Sequence, residues 1–189
     1  MEQLLMWLEM SKQFFQGQEV DLVQMLAARE KRADNQYFFL EKHPNCVLLS
    51  ATMTIPGPIK TNEQLKNTFL TVITEIDDLF PPKLQVARKY CDLVTGPEYY
   101  LVLKTTPKDL KKQMIQLEEN HLFGRLVDLD VLYMDKNQLQ TISRTELEQQ
   151  PRRCFICEND AKICGRQRRH SIEEMQEKIT QLIEKGRVT

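Results

Sequence analysis

The chain has 189 residues, 41% of them hydrophobic, with a formal net charge of −1. That apolar content excludes a disordered chain, the length points to one domain over 1–189, and the near-neutral charge argues against a nucleic-acid partner. No apolar run reaches the roughly 20 residues needed to cross a bilayer, and the amino terminus lacks a basic start and cleavage site, so the expectation is a cytoplasmic protein with no membrane partner.

The first 16 residues read as a helical extension. Residues 19–38 follow as a helix, with Val20, Val23, Leu26 and Ala27 on one stripe. The apolar run Cys46 to Thr54 predicts a buried strand, broken by Pro56-Gly57-Pro58. Thr61 and Gln64 form a capping box for a helix striped by Leu65, Phe69, Val72, Ile73 and Ile76, which Pro81-Pro82 ends. Leu84 to Val94 and Tyr99 to Lys104 read as a hairpin around Thr95-Gly96-Pro97. Thr106 caps the next helix with Pro107 at its first position. A strand opens at Gly124 and turns at Asp135-Lys136-Asn137 into a short one, Leu139 to Ser143. The last helix starts at Ser171, paired with Glu174, and is expected to bury Ile172, Met175, Ile179 and Leu182. The order from Cys46 to Tyr133 is β-α-β-β-α-β. The expected fold is therefore α+β: a ferredoxin-like or nucleotidyltransferase-like antiparallel sheet over 46–144 with helices on one face, followed by a Cys/Arg-rich segment and a helix over 151–189.

Two features carry chemistry. In Gly124-Arg125-Leu126-Val127-Asp128-Leu129-Asp130, strand alternation puts Asp128 and Asp130 on one face, roughly 6–7 Å apart at Cα. Two like charges so placed repel, and a bound magnesium ion with a phosphorylated substrate would offset that cost. Arg125 either holds a phosphate or pairs with a carboxylate. Gly124 either allows close substrate approach or ends the preceding helix. Lys60, at a helix start after the Pro-Gly-Pro turn, is a candidate anion-binding residue. The run Arg29 to Arg32 reads as a solvated face, and His121 as a dipole-complementing residue at a helix end.

The second feature is the segment 151–170, which holds six basic residues against two acidic ones, a local charge of +4 that leaves −5 on the rest. Arg152, Arg153, Arg166, Arg168, Arg169 and His170 are candidates for phosphate binding or for docking an acidic partner. The five cysteines are an odd number, which argues against a disulfide framework. Cys154, Cys157 and Cys164, with His170, have donor types suited to zinc. The alternatives are a reversible Cys154–Cys157 disulfide, or cysteines that merely pack a small turn.

Taken together, Leu117-Glu118, His121, Gly124-Arg125-Leu126, Asp128, Asp130-Val131, Ser143-Arg144, Pro151-Arg152-Arg153-Cys154, Cys157, Cys164 and His170 resemble the holo-acyl-carrier-protein synthase of citrate lyase. Pro56 to Lys60 and Arg29 to Gln36 match as well, and the resemblance runs from about residue 18 to 185. It implies transfer of phosphoribosyl-dephospho-CoA from triphosphoribosyl-dephospho-CoA to a serine of the acyl-carrier (gamma) subunit, with release of pyrophosphate. On that reading Asp128 and Asp130 are catalytic and hold magnesium. Lys60, Gly124, Arg125, Arg152, Arg153, Arg166 and His170 bind substrate. Two readings of other kinds stand beside it: a nucleotidyltransferase with a different acceptor, and a zinc-knuckle RNA-binding module.

Overall fold

The computed structural model describes residues 9–187. Residues 9–14 are helical, and the start of the predicted amino-terminal helix lies outside the described residues. Helix α1 spans Leu22–Lys42, strand β1 Val47–Met53 and helix α2 Glu63–Leu79. Strands β2 (Gln85–Cys91) and β3 (Glu98–Leu103) form the predicted hairpin. Helix α3 (Pro107–Asn120) leads through a tight turn at Gly124–Leu126 into β4 (Val127–Asp135) and β5 (Gln138–Thr141). A short helix α4 (Ala161–Arg166) and a longer α5 (Ile172–Arg187) complete the described chain.

The strands make one five-stranded sheet in the order β2-β3-β1-β4-β5, with every pair antiparallel. β1 is the central strand, flanked by β3 and β4, and all six residues of β3 are buried. Side chains alternate between two unlike faces. One face carries Val47, Leu49, Ala51, Leu101, Leu103, Val127, Leu129 and Val131, which join Leu65, Phe69, Ile76, Leu110 and Met114 in the main core. Each such fully buried aliphatic side chain contributes about 1.5–3 kcal/mol of burial free energy. The other face carries Leu48, Tyr100, Val102 and Leu132 under Phe39 and Leu40 of α1. The two crossover helices thus share one face, and α1 covers the other.

Three local expectations change. The cap of α2 is Asn62 rather than Thr61, and Thr61 Oγ1 finds no partner among the described residues. Asn62 prevails because its amide works both ways: Oδ1 accepts from Leu65 N–H (2.9 Å) while Nδ2 donates to the Phe14 carbonyl (2.6 Å), tying the amino-terminal segment to the helix start. The predicted strand from Gly124 begins instead at Val127, after a 3₁₀ turn. Ile172, expected in the core, is exposed, whereas Ile179 and Ile183 of the same helix are buried.

Candidate active site

The face of the sheet beneath α1 changes character along its length. Beyond the Leu48, Val102 and Leu132 cluster it becomes polar. The register sets Asp130 opposite Ser50 and Ser50 opposite Tyr100; one step further, Asp128 faces Thr52 and Thr52 faces Glu98. The alternating burial of Val127 to Val131 puts Asp128 and Asp130 on this side, both exposed, with Val127, Leu129 and Val131 in the core behind them. The predicted pairing of the two acids on one face is observed. Asp130 has its pKa raised above the ordinary aspartate value, chiefly by partial desolvation among the surrounding groups and then by Asp128 beside it; Lys111 and Arg32 oppose the shift.

Helix α1 lays a polar stripe over this region. Met25, Arg29, Arg32 and Gln36 recur at helical spacing and run into Phe39 and Leu40, which anchor the same side of the helix. Gln36 Nε2 donates to Ser50 Oγ (3.0 Å). Arg32 pairs with Glu98 (2.8 Å), and the Tyr100 hydroxyl donates to the other oxygen of that carboxylate (2.5 Å). Glu98 is only 2% exposed, so Arg32 neutralises a buried charge. Of the run Arg29 to Arg32, Arg29, Glu30 and Lys31 are exposed as a solvated face should be, and Arg32 departs from that expectation by turning in to Glu98; its continuity with Phe39 and Leu40 is the signal in the sequence.

A cavity of about 260 Å³ lies where this stripe meets the sheet, lined by Arg29, Arg32, Thr52, Lys60, Gly96 and Asp128 among others. Lys60 Nζ donates to the Ile55 carbonyl (2.8 Å), and its pKa is lowered by burial and by the neighbouring Arg29. Two cations held against mutual repulsion at a cavity wall form a site suited to an anion such as phosphate. A second cavity, about 470 Å³, contains both aspartates together with Lys111, Ser143, Arg144 and Arg152. Asp128 lines both.

The turn before the aspartates is fixed from two sides. A Cβ on Gly124 would lie 2.5 Å from the Leu117 carbonyl oxygen and 2.7 Å from that of Glu118. Glycine is required there by the approach of the turn to the end of α3, and it does not adopt the left-handed cap conformation that a helix-ending glycine would. Arg152 closes the other side. Its Nη2 donates to the carbonyls of Gly124, Arg125 and Val127 (3.1, 2.8 and 2.7 Å), and its Nη1 lies 3.4 Å from Asp128 Oδ1. One arm of this guanidinium is thus committed to holding the turn. Arg125 Nη2 donates to the Arg153 carbonyl (2.8 Å), tying the turn to the basic segment. On the open edge of β4, Lys111 Nζ donates to the Leu129 carbonyl and Glu118 accepts from Leu129 N–H, with Arg144 bridging Glu118 and Glu119.

The basic segment builds a third cavity of about 750 Å³ against the Pro56-Gly57 turn and α5. Arg125, Arg152, Arg153, Phe155, Arg168, His170 and Met175 line it, so it offers apolar surface with a cationic rim. Arg166 is exposed at the end of α4, and the structure does not bring it to the aspartates. Cys154, Cys157, Cys164 and His170 converge, with donor atoms all within 4.8 Å of one another. His121 lies elsewhere: Nδ1 accepts from Phe123 N–H (2.9 Å), Nε2 faces Glu75 (3.5 Å), and burial lowers its pKa. It locks the end of α3.

An antiparallel sheet carrying two strand-borne carboxylates beside cation-lined cavities is an arrangement suited to binding phosphorylated molecules. Comparison with known proteins gives the group. Residues 20–186 match the family described as apo-citrate lyase phosphoribosyl-dephospho-CoA transferase. The chain is 46% identical over 180 residues, 92% of its length and 91% of the relative's, to the probable apo-citrate lyase phosphoribosyl-dephospho-CoA transferase of Streptococcus pyogenes serotype M5 (strain Manfredo). It is 33% identical over 166 residues (87% and 88%) to the apo-citrate lyase phosphoribosyl-dephospho-CoA transferase of Escherichia coli O7:K1. It also matches 36% of the length of the protein CitXG of Leuconostoc mesenteroides, at 36% identity. The chain belongs to the apo-citrate lyase phosphoribosyl-dephospho-CoA transferase family.

Proposed function

We propose that this protein transfers phosphoribosyl-dephospho-CoA from triphosphoribosyl-dephospho-CoA to a serine hydroxyl of the acyl-carrier (gamma) subunit of citrate lyase, releasing pyrophosphate. The observation that carries the reading is the position of Asp128, which lines both the cationic cavity of Lys60, Arg29 and Arg32 and the cavity that contains Asp130. A phosphate chain in the first cavity brings its reacting phosphorus to the acids in the second. The serine oxygen bonds to the phosphorus attached to the ribose 5-oxygen as the bond to the pyrophosphate bridging oxygen breaks; the serine loses its proton and pyrophosphate leaves.

Charge builds on the leaving oxygens, and Lys60 with Arg29 is placed to offset it. The 750 Å³ cavity suits the coenzyme-like part of the donor: apolar walls for the organic portion, Arg153 and Arg168 for its phosphates. The donor set Asp128, Asp130, Ser50 and Thr52 is all oxygen, which fits a hard ion such as magnesium and not a soft one. Asp128 and Asp130 would hold the ion, which supplies charge neutralisation at the phosphoryl group and acidifies the attacking hydroxyl. The strand order β2-β3-β1-β4, with both crossover helices on one face, supports a ferredoxin-like core. No helix among the described residues is long and apolar enough to cross a membrane. The reaction is assigned to the cytoplasm, in keeping with five cysteines of which none is joined in a disulfide.

The test is mass spectrometry of the apo-carrier subunit after incubation with this protein, the donor and magnesium. The expected result is a gain equal to one phosphoribosyl-dephospho-CoA, absent when the acceptor serine is replaced by alanine. An unmodified carrier alongside transfer to another acceptor would favour the broader nucleotidyltransferase reading.

A further inference from the structure

We infer that Cys154, Cys157, Cys164 and His170 form a closed zinc site that fixes the basic segment against the catalytic sheet. The donors are separated along the chain by two, six and five residues, a spacing that matches no standard finger. The fold nevertheless gathers them into one cluster with all donor atoms within 4.8 Å. Cys157 Sγ lies 3.5 Å from Cys164 Sγ and 3.2 Å from His170 Nε2. A tetrahedral zinc ion with Zn–S bonds of about 2.3 Å sets its sulfurs about 3.8 Å apart, close to the spacing observed. The sulfur separation is far beyond the roughly 2.05 Å of a disulfide.

Two of the three sulfurs have N–H groups directed at them. Ile156 N–H points to Cys154 Sγ (3.5 Å) and Asn159 Nδ2 to Cys157 Sγ (3.3 Å), so N–H donors face the sulfurs as they do around metal-bound cysteine. The backbone is shaped to make this possible. Cys154 N–H donates to the Asn159 carbonyl (2.6 Å), Glu158 adopts a left-handed φ of 58°, and Asp160 caps α4, which delivers Cys164. Cys154 and Cys164 are buried. Arginines 125, 152, 153 and 168 line the same cavity wall as Cys154, Cys164 and His170, and would offset the net negative charge of three thiolates and one zinc ion.

Four protein ligands leave no open position, so the zinc is structural. It welds the loop bearing Arg153 and Phe155 to the loop bearing Arg168, and so shapes the 750 Å³ cavity. Zinc content of the full-length protein, purified without chelator or a metal-binding tag, tests the inference directly. About one zinc per chain is expected, and cobalt(II) in its place should give thiolate charge-transfer and intense tetrahedral d–d bands. Cys164→Ser should lower zinc retention at least about tenfold, while Cys46→Ser, outside the cluster, should retain it. Protein that binds no zinc before or after reconstitution, a Cys157–Cys164 disulfide found by mass mapping, or iron in the site would overturn it.

Discussion

Asp130 shows what the site costs. Although its side chain reaches solvent, its pKa is raised by partial desolvation among the surrounding groups and by Asp128, so ionising it opposes folding. The penalty is absent below the ordinary aspartate pKa of about 3.9 and complete above the raised value. Asp130→Asn should therefore be more stable than the parent protein at neutral pH, and the gap should close as the pH falls towards about 4. Urea melts at the two pH values check this; a variant less stable than the parent at neutral pH would contradict it. Gly124 and Arg152 work at the same scale. The first admits the turn between two α3 carbonyls, and the second binds the three carbonyls the turn exposes. Neither role could be read along the chain, because both depend on residues brought in from other elements.

Among the elements, α1 is the instructive case. Its apolar residues Val23 and Leu26 suggested the buried stripe, yet Val23 is 74% exposed and Leu26 49%. The inner side is Arg32 and Gln36, with the exposed Arg29 at the cavity rim, a stripe that hydrophobic periodicity overlooks because the sheet beneath is polar. Only Phe39 and Leu40 at the far end obey the usual pattern. Arg32→Ala should destabilise the protein by about 3 kcal/mol, because it leaves the buried Glu98 carboxylate without its cation. Arg29→Ala, which removes an exposed side chain, should change stability by less than about 0.5 kcal/mol. Equal effects in denaturant titrations would mean that the Arg32–Glu98 pair is not what holds α1 to the sheet. The crossover helices, by contrast, were legible in the chain, because their apolar stripes face an apolar sheet; only the cap of α2 moved, by one residue, to a side chain that also reaches Phe14.

At the scale of the molecule, the β-α-β-β-α-β order and the shared face of Asp128 and Asp130 could be read from alternation and punctuation alone. The joining of cavities could not. Lys60, Arg29 and Asp128 come from three separate elements, and Asp128 shares the next cavity with Arg152, which also lines the third. Arg152 thereby connects the acidic site to the arginine-rich segment, and Arg125 reinforces the link through the Arg153 carbonyl. The proposed transfer depends on that continuity: donor held by the basic cavities, reacting phosphorus delivered to the two carboxylates.

The most direct test is the rate at which the carrier subunit gains mass with Asp128→Asn, measured at saturating donor on protein shown to be folded by its circular dichroism and unfolding midpoint. The account predicts a loss of at least about 10³-fold relative to the parent protein, since one carboxylate's share of charge neutralisation is worth several kcal/mol in the transition state. A rate within about tenfold of the parent would contradict it, because so small a loss is too little for a group at the reacting phosphorus.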